Sequence, residues 1–503
     1  MKSIILIDEN IETVKTALIE DGRLAEFHVS GAAAQRLTGN IYKGRVENVL
    51  PGMQAAFVAY GAEKNGYLSA DDILFDKAEL SGIGNEVALP PLSSLTTGAE
   101  IMVQIVKDEN GAKGARLSQV ITLAGRFIVL LPNLDFIGIS RKIEDESIRA
   151  RLAQAVIKAA GRSCGVIIRT AAEDAPSKEI LHEIKLLWQR WAEIKKAYAA
   201  AKPLTEVHSE GGLAYGFLRD TLNDTIQKIE VYGAAAFNVL KKQMSDGVLN
   251  KYVKRLERYT GGEELFDRYG VNAQLEALLE KRVNLKNKAY LIIERTEAMT
   301  VIDVNTGSFT GGESLEQTAL ETNLTAAEEI ARQLRLRNTG GIIVIDFIDM
   351  ALKEHKDAVV DYLKKCLKKD GTKTQVLGMT ALGLVEMTRK KRSREASAYL
   401  EQGCPYCSGL GRLYSVSAIV DKIRAALKKI MADINPGAAV LTVNPQAADA
   451  IFNSRSLTSL CEKEWQGKRI YIVPDEKMHV HAYKIRVDNK TVLDLPPKAM
   501  LLY

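Results

Sequence analysis

Short apolar runs separated by turn-forming residues occupy roughly the first 120 positions, and this spacing predicts strands rather than helices. MKSIILI and the polar stretch that follows it read as short strands joined by turns. Beyond them come GNIYKGRVE, AAFVAYG, NGYLSADDI and EIMVQIVKDE, which are separated by Pro-Gly, Gly and Asn-Gly. Four or five strands in about 80 residues predict a small closed barrel of the OB type.

Between residues 120 and 215 the pattern mixes strands with one long helix. RFIVLLP and CGVIIRT predict strands, and a set of apolar residues at helical spacing predicts a helix with one face packed on a core. This set comprises Ile180, Ile184, Leu187, Trp188, Trp191 and Ile194. From about 215 to 278 helical patterns dominate.

Strands and helices alternate from about residue 285, which predicts α/β architecture. AYLIIERT, AMTVIDVN and IIVIDFID read as strands, with one helix over 315–337 and another after the third strand. Ile342 to Ile345 is apolar at every position, which predicts a strand buried on both faces. After CPYCSGLG a further α/β segment completes the sequence, and no internal repeat is present.

Composition excludes several classes of protein. The 503 residues are 46% hydrophobic and 26% charged with a formal net charge of +5, so the chain can bury cores and is neither disordered nor fibrous. No run approaches the roughly 18 apolar residues of a membrane span, and MKSIILIDEN lacks signal-peptide anatomy. Five cysteines, an odd number, argue against a disulfide framework. We therefore expect a cytoplasmic protein without a membrane span.

Basic residues are concentrated between positions 361 and 394. Only Asp361, Asp370 and Glu386 oppose them. The segment is either a phosphate-binding surface or a solvated helix face followed by a loop, and the pattern alone does not decide between these. Its basic members are Lys364, Lys365, Lys368, Lys369, Lys373, Arg389, Lys390, Lys391, Arg392 and Arg394.

Two carboxylates lie at the ends of apolar strands. VIDVNTG places Asp303 and Asn305 at one strand end, and IVIDFID places Asp346 at another. Acids at the ends of adjacent strands can hold one Mg²⁺, which prefers oxygen ligands. Such an ion can polarise a phosphodiester and activate a bound water. Each acid alone could instead cap a turn, but the pair with Asn305 beside it favours a metal site.

The predicted barrel carries aromatic and basic residues together. Aromatic rings that stack bases, with cations for the backbone, are how OB folds hold single-stranded nucleic acid. The alternative is that one or two of these rings fill the barrel core. The residues are Phe57, Tyr60 and Tyr67, with Lys43, Arg45, Lys107 and Lys113 around them.

Two further motifs are weaker when taken alone. Arg169 and Thr170 end CGVIIRT, where a guanidinium and a hydroxyl can bind a terminal phosphate, and we expect Arg169 to pair with no internal group. Cys404 and Cys407 form a Cys-x-x-Cys turn typical of zinc sites, with no histidine within forty residues on either side. One chain therefore supplies half of a tetrahedral site; the alternative is a redox pair.

In combination these features resemble the ribonuclease E/G family of bacterial single-strand endoribonucleases. GNIYKGRVENVLPGMQAAFVAYG resembles the family's S1-type RNA-binding domain, VIIRT its sensor of RNA 5′ ends, IDVNTG with IVIDFIDM its catalytic subdomain, and CPYCSGLG its zinc link. The resemblance runs along the whole chain.

The resemblance implies an α/β multidomain fold. Ribonuclease-H-like and deoxyribonuclease-I-like subdomains would be accompanied by an inserted OB-type S1 barrel and a small C-terminal α/β domain. The implied parts are a ribonuclease-H-like subdomain (1–35 and 215–278), the S1 barrel (36–119), the 5′-end sensor (120–214), the deoxyribonuclease-I-like subdomain (279–400), the zinc link (401–415) and the small domain (416–503).

The resemblance also assigns roles. Asp303 and Asp346 would bind Mg²⁺, while Asn305 would position the scissile phosphate or the attacking water. Phe57, Tyr67 and Lys113 would contact RNA, and Arg169, Thr170 and Arg141 would bind a 5′-monophosphate. Cys404 and Cys407 would bind zinc shared between two chains of a homodimer, with higher oligomers left open. The implied activity is Mg²⁺-dependent cleavage of single-stranded RNA in rRNA maturation and mRNA decay.

Two positions depart from the family pattern. Lys373 stands where the sensor normally has an arginine, and this keeps the charge but loses the bidentate fork. Ala381 stands where we expect a basic residue. The sequence ends at Tyr503 without a long disordered tail, which favours the shorter members. The alternative function is a non-catalytic RNA-binding factor in ribosome assembly, which would have no need of the paired acids.

Overall fold

A computed structural model describes most of the chain, and all structural statements below concern its described residues. These are 3–10, 12–31, 37–69, 80–83, 95–109, 113–134, 136–160, 165–245, 247–308, 314–390, 397–407, 409, 411–432, 438–453, 468–488 and 495–502. The chain divides into two compact units, residues 1–400 and 401–503, and each is described by itself. Among the described residues, no helix has both the length and the apolar character needed to cross a membrane.

The N-terminus forms three antiparallel strands, as the sequence predicts. Both faces of the first strand are buried against later parts of the chain, with Ile5 and Ile7 in one core and Leu6 in another. The strands are β1 (Ser3–Glu9), β2 (Thr13–Glu20) and β3 (Arg23–Gly31).

A closed barrel follows and confirms that prediction. Five of its strands pair in the order β4-β5-β6-β9-β8, and β8 closes back on β4. Val46, Val58 and Leu117 are fully buried inside it. The next strands along the chain are β4 (Ile41–Leu50), β5 (Ala55–Ala59), β6 (Gly66–Ser69), β7 (Leu80–Ile83), β8 (Glu100–Lys107) and β9 (Arg116–Ser118).

Strand β7 lies between barrel strands in the sequence but belongs to a second sheet, here called the β12–β13 sheet. Its order is β10-β11-β13-β12-β7, and β12 and β13 run parallel, so both end at the same edge. The predicted long helix α2 buries the expected apolar face and also Glu183. The elements are β10 (Leu123–Ala124), β11 (Ile128–Leu131), β12 (Ile137–Ser140), α1 (Glu146–Ala160), β13 (Gly165–Ile168) and α2 (Ser177–Ala200).

The segment after α2 returns to the barrel and then to the N-terminal strands. Strand β14 extends the barrel beside β4, and β15 inserts next to β1 to give the order β16-β15-β1-β2-β3. The elements are β14 (Thr205–His208), α3 (Gly212–Thr221), β15 (Ile226–Tyr232), α4 (Ala234–Ser245), β16 (Leu256–Arg258), α5 (Leu265–Arg268) and α6 (Val271–Glu276).

The helical reading of residues 215–278 missed strand β15. Its polar positions interrupt the apolar run, yet Ile226, Ile229 and Val231 are buried and β15 lies between two parallel neighbours. One five-stranded sheet is therefore built from two stretches separated by the barrel and the β12–β13 sheet. That this sheet is ribonuclease-H-like stays a prediction.

The next segment forms a six-stranded sheet, here called the β19–β20 sheet, whose order is β17-β18-β19-β20-β22-β21. Helices α7 and α8 pack on one of its faces, where Ile302, Ile343 and Ile345 are fully buried. The elements are β17 (Arg282–Asn284), β18 (Tyr290–Arg295), β19 (Met299–Asn305), α7 (Leu315–Arg337), β20 (Gly341–Asp346), α8 (Lys353–Leu367), β21 (Thr374–Met379), β22 (Leu384–Arg389) and α9 (Ser397–Leu400).

The prediction that β20 is buried on both faces is wrong. Ile342 is 50% exposed, because the described helices cover only the face that carries Ile343 and Ile345. An apolar run does not distinguish a strand covered on both sides from one whose second face is left open. The open face is the one that carries the acids.

The second unit is a small α/β domain. Its sheet has the order β25-β23-β24-β26, and its core contains Ile423, Leu441 and Ile472. The elements are α10 (Val416–Ala432), β23 (Ala438–Val443), α11 (Pro445–Phe452), β24 (Arg469–Pro474), β25 (Tyr483–Asp488) and β26 (Met500–Leu501).

Candidate active site

Two carboxylates lie side by side at the edge of the β19–β20 sheet. Strands β19 and β20 are parallel, and their register pairs Asp303 with Asp346 at the carboxyl ends of both strands. Both residues are exposed. Asn305, two residues further along β19, donates a hydrogen bond from Nδ2 to Oδ2 of Asp303 at 2.8 Å. The structure thus brings together the three residues that the sequence analysis singled out.

Side chains from α7 hold the backbone that follows Asp346. Asn323 is fully buried; its Nδ2 donates to the carbonyl of Ile348 at 2.8 Å, and its Oδ1 accepts from the N–H of Ile348 at 3.0 Å. Glu316 accepts from the N–H groups of Ala351 and Leu352, and these bonds lower the pKa of its carboxyl. Sequence reasoning missed both residues, because their partners lie 25 to 36 positions away.

The donor set suits a hard divalent cation. Among the described residues, neither Asp303 nor Asp346 has a lysine or arginine as an ion-pair partner, so the charge of the pair is left uncompensated at the surface. Two carboxylates and an amide in one place are oxygen ligands of the kind that Mg²⁺ prefers, with water completing its shell. The described residues contain no cluster of three His, Cys, Asp or Glu side chains placed to hold a metal. A metal at this edge would therefore keep open positions.

The tip of the β21–β22 hairpin lies at the same end of the sheet as the acids. Leu384 pairs with Asp346, and the turn from Thr380 to Gly383 projects beyond that pair. Ala381 is exposed in this turn, and Leu382 beside it is 84% exposed. The position at which we expected a cation is therefore close to the acids and carries none.

In the barrel, the aromatic residues divide into two groups. Phe57 and Tyr67 are paired across β5 and β6, half-buried, with ring centroids 6.1 Å apart. Tyr60 is 2% exposed and packs edge-on against Tyr42, so it belongs to the core and is not available to stack a base.

The cations around the barrel also divide. Lys43 forms an ion pair with Glu100 at 3.1 Å and donates to the carbonyl of Ala201, so its charge is satisfied internally. Arg45, Lys107 and Lys113 are exposed and have no ion-pair partner among the described residues. The half-buried ring pair with these three cations is the part of the barrel that suits RNA.

At the edge of the β12–β13 sheet, Arg169 and Thr170 follow β13, and Arg141 follows the parallel strand β12. The Oγ1 of Thr170 lies 2.9 Å from the Oγ of Ser140, and Arg141 is exposed. The expectation that Arg169 pairs with nothing internal is wrong. Its guanidinium lies 2.8 Å from Oδ1 of Asp220 and donates to the carbonyl of Gly125 at 2.7 Å.

Asp220 lies between two guanidiniums. Burial alone would raise the pKa of its carboxyl, but Arg169 and Arg219 together hold that pKa below its usual value. Arg219 in turn contacts Glu210. The signal for this network was absent from the local sequence, because Asp220 is 51 positions from Arg169.

The chain is similar to known proteins along most of its length. A model of the ribonuclease E/G family matches residues 122–392. A ribonuclease G of Haemophilus influenzae is 38% identical over 479 residues, 94% of this chain and 96% of that protein. A ribonuclease G of Escherichia coli K12 is 37% identical over 475 residues, 94% of this chain and 97% of that protein.

The chain belongs to the ribonuclease E/G family. A ribonuclease E of Escherichia coli K12 is also related, at 32% identity over 506 residues, which is 98% of this chain but 47% of that protein. The fold of this ribonuclease E/G family member contains the closed barrel and mixed α/β units that the resemblance implied.

The basic segment between residues 361 and 394 exposes fewer described cations than its composition indicated. Arg389 is 3% exposed and forms an ion pair with Asp370 at 2.7 Å, so neither residue contributes to a surface patch. Lys391, Arg392 and Arg394 lie outside the described residues. Lys142, next to Arg141, donates to the carbonyls of Asp370 and Thr372. These contacts place Lys373 close to the edge that carries Arg141 and Thr170.

In the second unit, the two cysteines are exposed or half-buried, and both are free. The N–H groups of Cys407 and Tyr406 are directed at the sulfur of Cys404 and lower the pKa of its thiol. The sulfur of Cys407 accepts a hydrogen bond from the N–H of Gly411 at 3.3 Å. Backbone N–H groups that lower the pKa of the Cys404 thiol fit a zinc site, since zinc binds the deprotonated sulfur.

Two histidines that are distant in sequence lie beside this turn. His479 donates from Nε2 to the carbonyl of Tyr406 and accepts the N–H of His481 at Nδ1, 3.1 Å away. His481 accepts the N–H of Tyr414 at Nε2, 2.8 Å away. A neutral imidazole has one lone pair for a metal, and in both rings it is already used. The histidines therefore stabilise the turn by hydrogen bonds. The cysteine ligands available for zinc in the described part of this unit are Cys404 and Cys407.

Proposed function

We propose that this protein is a Mg²⁺-dependent endoribonuclease that hydrolyses phosphodiester bonds within single-stranded RNA. The pairing of Asp303 with Asp346 at one sheet edge, without a described cation to neutralise them, carries the proposal. The relatives named ribonuclease G and ribonuclease E support the same activity.

Asp303 and Asp346 would hold the metal, and a bound Mg²⁺ would polarise the phosphodiester and lower the pKa of its water. Asn305 keeps Asp303 in place through its side-chain N–H group. No described residue donates to its side-chain oxygen, which could accept from a water or a ribose hydroxyl. Asn323 and Glu316 hold the backbone that follows Asp346 by hydrogen bonds, which would help to keep that carboxylate in place when a cation binds.

The path of the RNA follows from the other sites. Phe57 and Tyr67 would stack bases, with Lys113 on the backbone, and stacking contributes on the order of 1–3 kcal/mol per base. Arg169, Thr170 and Arg141 would bind a 5′-monophosphate, with Lys373 close by. We propose that substrates with this end are favoured and that the enzyme acts in rRNA maturation and mRNA decay in the cytoplasm.

We further propose a homodimer in which Cys404 and Cys407 of two chains share one structural Zn²⁺. Zinc in structural sites is almost always four-coordinate. Since both nearby imidazoles use their lone pairs internally, a symmetry-related copy is the natural source of the missing thiolates.

The test is cleavage of a labelled 5′-monophosphorylated single-stranded oligonucleotide, with Mg²⁺ and with a chelator. We expect internal cuts only with Mg²⁺ and slower cutting of the matching 5′-hydroxyl oligonucleotide. A non-catalytic RNA-binding factor would bind the same oligonucleotide and leave it intact under both conditions, and that result would overturn the proposal.

A further inference from the structure

A line of paired residues crosses the open face of the β19–β20 sheet and ends at the acids. Arg282 pairs with Ile292, Ile292 with Asp303, and Asp303 with Asp346. Adjacent strands are about 4.8 Å apart, so the backbone of Arg282 is roughly 10 Å from that of Asp303. Val283 packs against the core on the covered face, so Arg282 projects from the same face as the acids.

Neighbouring side chains already orient Arg282. Its guanidinium carbon lies 4.0 Å from the centroid of the Tyr290 ring, a close cation–π contact. Its Nε donates to Oδ1 of Asn284 at 3.1 Å. Tyr290 itself pairs with Asn305 across β18 and β19, so this arrangement lies directly beside the candidate active site.

The structure pairs Arg282 with no described counter-charge. Among the described residues, no carboxylate forms an ion pair with it, whereas the adjacent Lys281 pairs with Glu294 at 2.8 Å. With Nε engaged by Asn284, the two terminal nitrogens remain to donate. A planar guanidinium held in this way matches two oxygens of a phosphate, and less rotamer freedom is lost when the phosphate binds.

We propose that Arg282 binds a backbone phosphate of the RNA strand close to the scissile bond, and that Tyr290 and Asn284 position its guanidinium. This inference rests on the proposed function, since it takes Asp303 and Asp346 as the place of cleavage. The competing explanation is that Arg282 only stabilises the short edge strand β17 by packing on Tyr290.

Binding measurements separate the two explanations. In an Asp303→Asn background, a 5′-hydroxyl oligonucleotide removes any contribution from 5′-end recognition. Arg282→Ala is expected to weaken its binding about tenfold, as for the loss of a charge-assisted hydrogen bond. The dependence of log K on log salt should fall by about 0.7, as for one phosphate of a single strand. Lys281→Ala is the matched control and should change neither value, because that charge is already paired.

Further variants test the positioning. Tyr290→Phe keeps the ring and should bind as the parent does, whereas Tyr290→Ala should lose part of the affinity. Arg282→Lys keeps the charge without the fork and should fall between Arg282→Ala and the parent. Equal unfolding temperatures across the set would show that folding is unaffected.

Neutral methylphosphonate linkages, placed singly around the cleavage site, locate the contact. At the linkage that Arg282 binds, the loss from Arg282→Ala and the loss from the neutral linkage should not add. Unchanged binding by Arg282→Ala, or additive losses at every linkage next to the cut, would overturn the inference. If the wild-type protein cleaves RNA with Mg²⁺ while Arg282→Ala binds normally, this inference alone has failed. If it does not cleave, the proposed function has failed, and the placement of this contact near a scissile bond is overturned with it.

Discussion

At the edge of the β19–β20 sheet, Asp303 and Asp346 lie together without a described cation, whereas at the edge of the β12–β13 sheet Arg169 already contacts Asp220. The side-chain amide of Asn305 donates a hydrogen bond to Asp303, but it is neutral and leaves the charge of the acids in place. Arg169 is held by Asp220, which also contacts Arg219, so the position of its guanidinium is set by groups of its own chain. The charge of the first edge is thus open to a ligand, whereas the charge of Arg169 at the second edge is already paired within the chain.

The turn at Cys404 and Cys407 resembles the first edge. Backbone N–H groups lower the pKa of the Cys404 thiol, and no described cation contacts either cysteine. No described cation contacts the acid pair or the thiol pair, whereas Arg169 is paired with an acid of its own chain. Replacing a residue of the acid pair or of the thiol pair should abolish the function of that site. Replacing Arg169 should have a smaller effect.

The largest effect is expected at the acids. Asp303→Asn or Asp346→Asn removes one charged metal ligand and should lower the cleavage rate by at least about 10³-fold, because a metal contributes several kcal/mol to the transition state. RNA binding should survive, since the barrel is untouched. Single-turnover cleavage at saturating Mg²⁺ measures this effect.

Asp361→Asn is the control, because that exposed acid already pairs with Lys364 on α8. It should cleave at the wild-type rate. Near-normal cleavage by both Asp303→Asn and Asp346→Asn would remove the metal-site assignment.

The thiol pair should control assembly. Replacing both thiols, as in Cys404→Ala with Cys407→Ala, should release zinc and shift the mass measured by light scattering from dimer to monomer. The native protein should contain one Zn²⁺ per two chains by metal analysis. One zinc per chain, or a double variant that remains dimeric, would contradict the shared site.

Stability should depend on the buried pair of Asp370 and Arg389. Burial favours the neutral acid, but Arg389 holds the pKa of the Asp370 carboxyl below its usual value. The contribution of this pair is therefore complete above the ordinary pKa of aspartate and is lost as the pH falls through the lower folded value. Asp370→Asn leaves Arg389 buried and unpaired, and should lower the free energy of unfolding by about 3–5 kcal/mol at pH 7.

Urea unfolding at pH 7 and below pH 4 tests this pH dependence. The difference in the free energy of unfolding between Asp370→Asn and the wild type should shrink in acid. A difference that stays constant would contradict the role of the Asp370–Arg389 pair. Since Lys142 donates to the carbonyls of Asp370 and Thr372, the same variant should also loosen the junction beside Arg141.

How far the sequence predicted these sites depends on how local their determinants are. The barrel, helix α2 and the strands that carry Asp303 and Asp346 were predicted from short patterns, because each is encoded by consecutive residues. Strand β15 was missed because polar residues interrupt its apolar positions.

Partners that come from elsewhere in the fold could not be predicted. Asp220 beside Arg169 and His479 beside Tyr406 are 51 and 73 positions away, and no local spacing connects them. Local sequence also failed to predict that Ile342 is exposed. It lies in an apolar run, but no described element covers its face of the sheet. Which charges are paired at each site could therefore be established only from the structure.

Replacing Arg169 is expected to have a moderate effect on the preference for 5′-monophosphate substrates, because its ion pair with Asp220 lies within the chain. Arg169→Ala should narrow the rate difference between 5′-monophosphate and 5′-hydroxyl substrates by about tenfold, as for the loss of a charge-assisted hydrogen bond. Arg169→Lys should lie between Arg169→Ala and the wild type. Arg151→Ala is the control, because Arg151 donates to the carbonyl of Glu173 on the same sheet domain and should leave the preference unchanged. An unchanged preference in folded Arg169→Ala would exclude the sensor role.

The smallest expected effect comes from adding a charge next to the acid pair. Ala381 is exposed in the turn that projects beyond the Leu384–Asp346 pair, so a lysine there would lie near the RNA phosphates that approach the acids. Ala381→Lys should lower KM about two- to fivefold, as for one exposed phosphate contact, and leave kcat nearly unchanged. Ala381→Gln, of similar length but neutral, should not do so, and the gain from lysine should fade as salt rises. A lower kcat with unchanged KM would instead indicate that the new ammonium group pairs with the acids and displaces the metal.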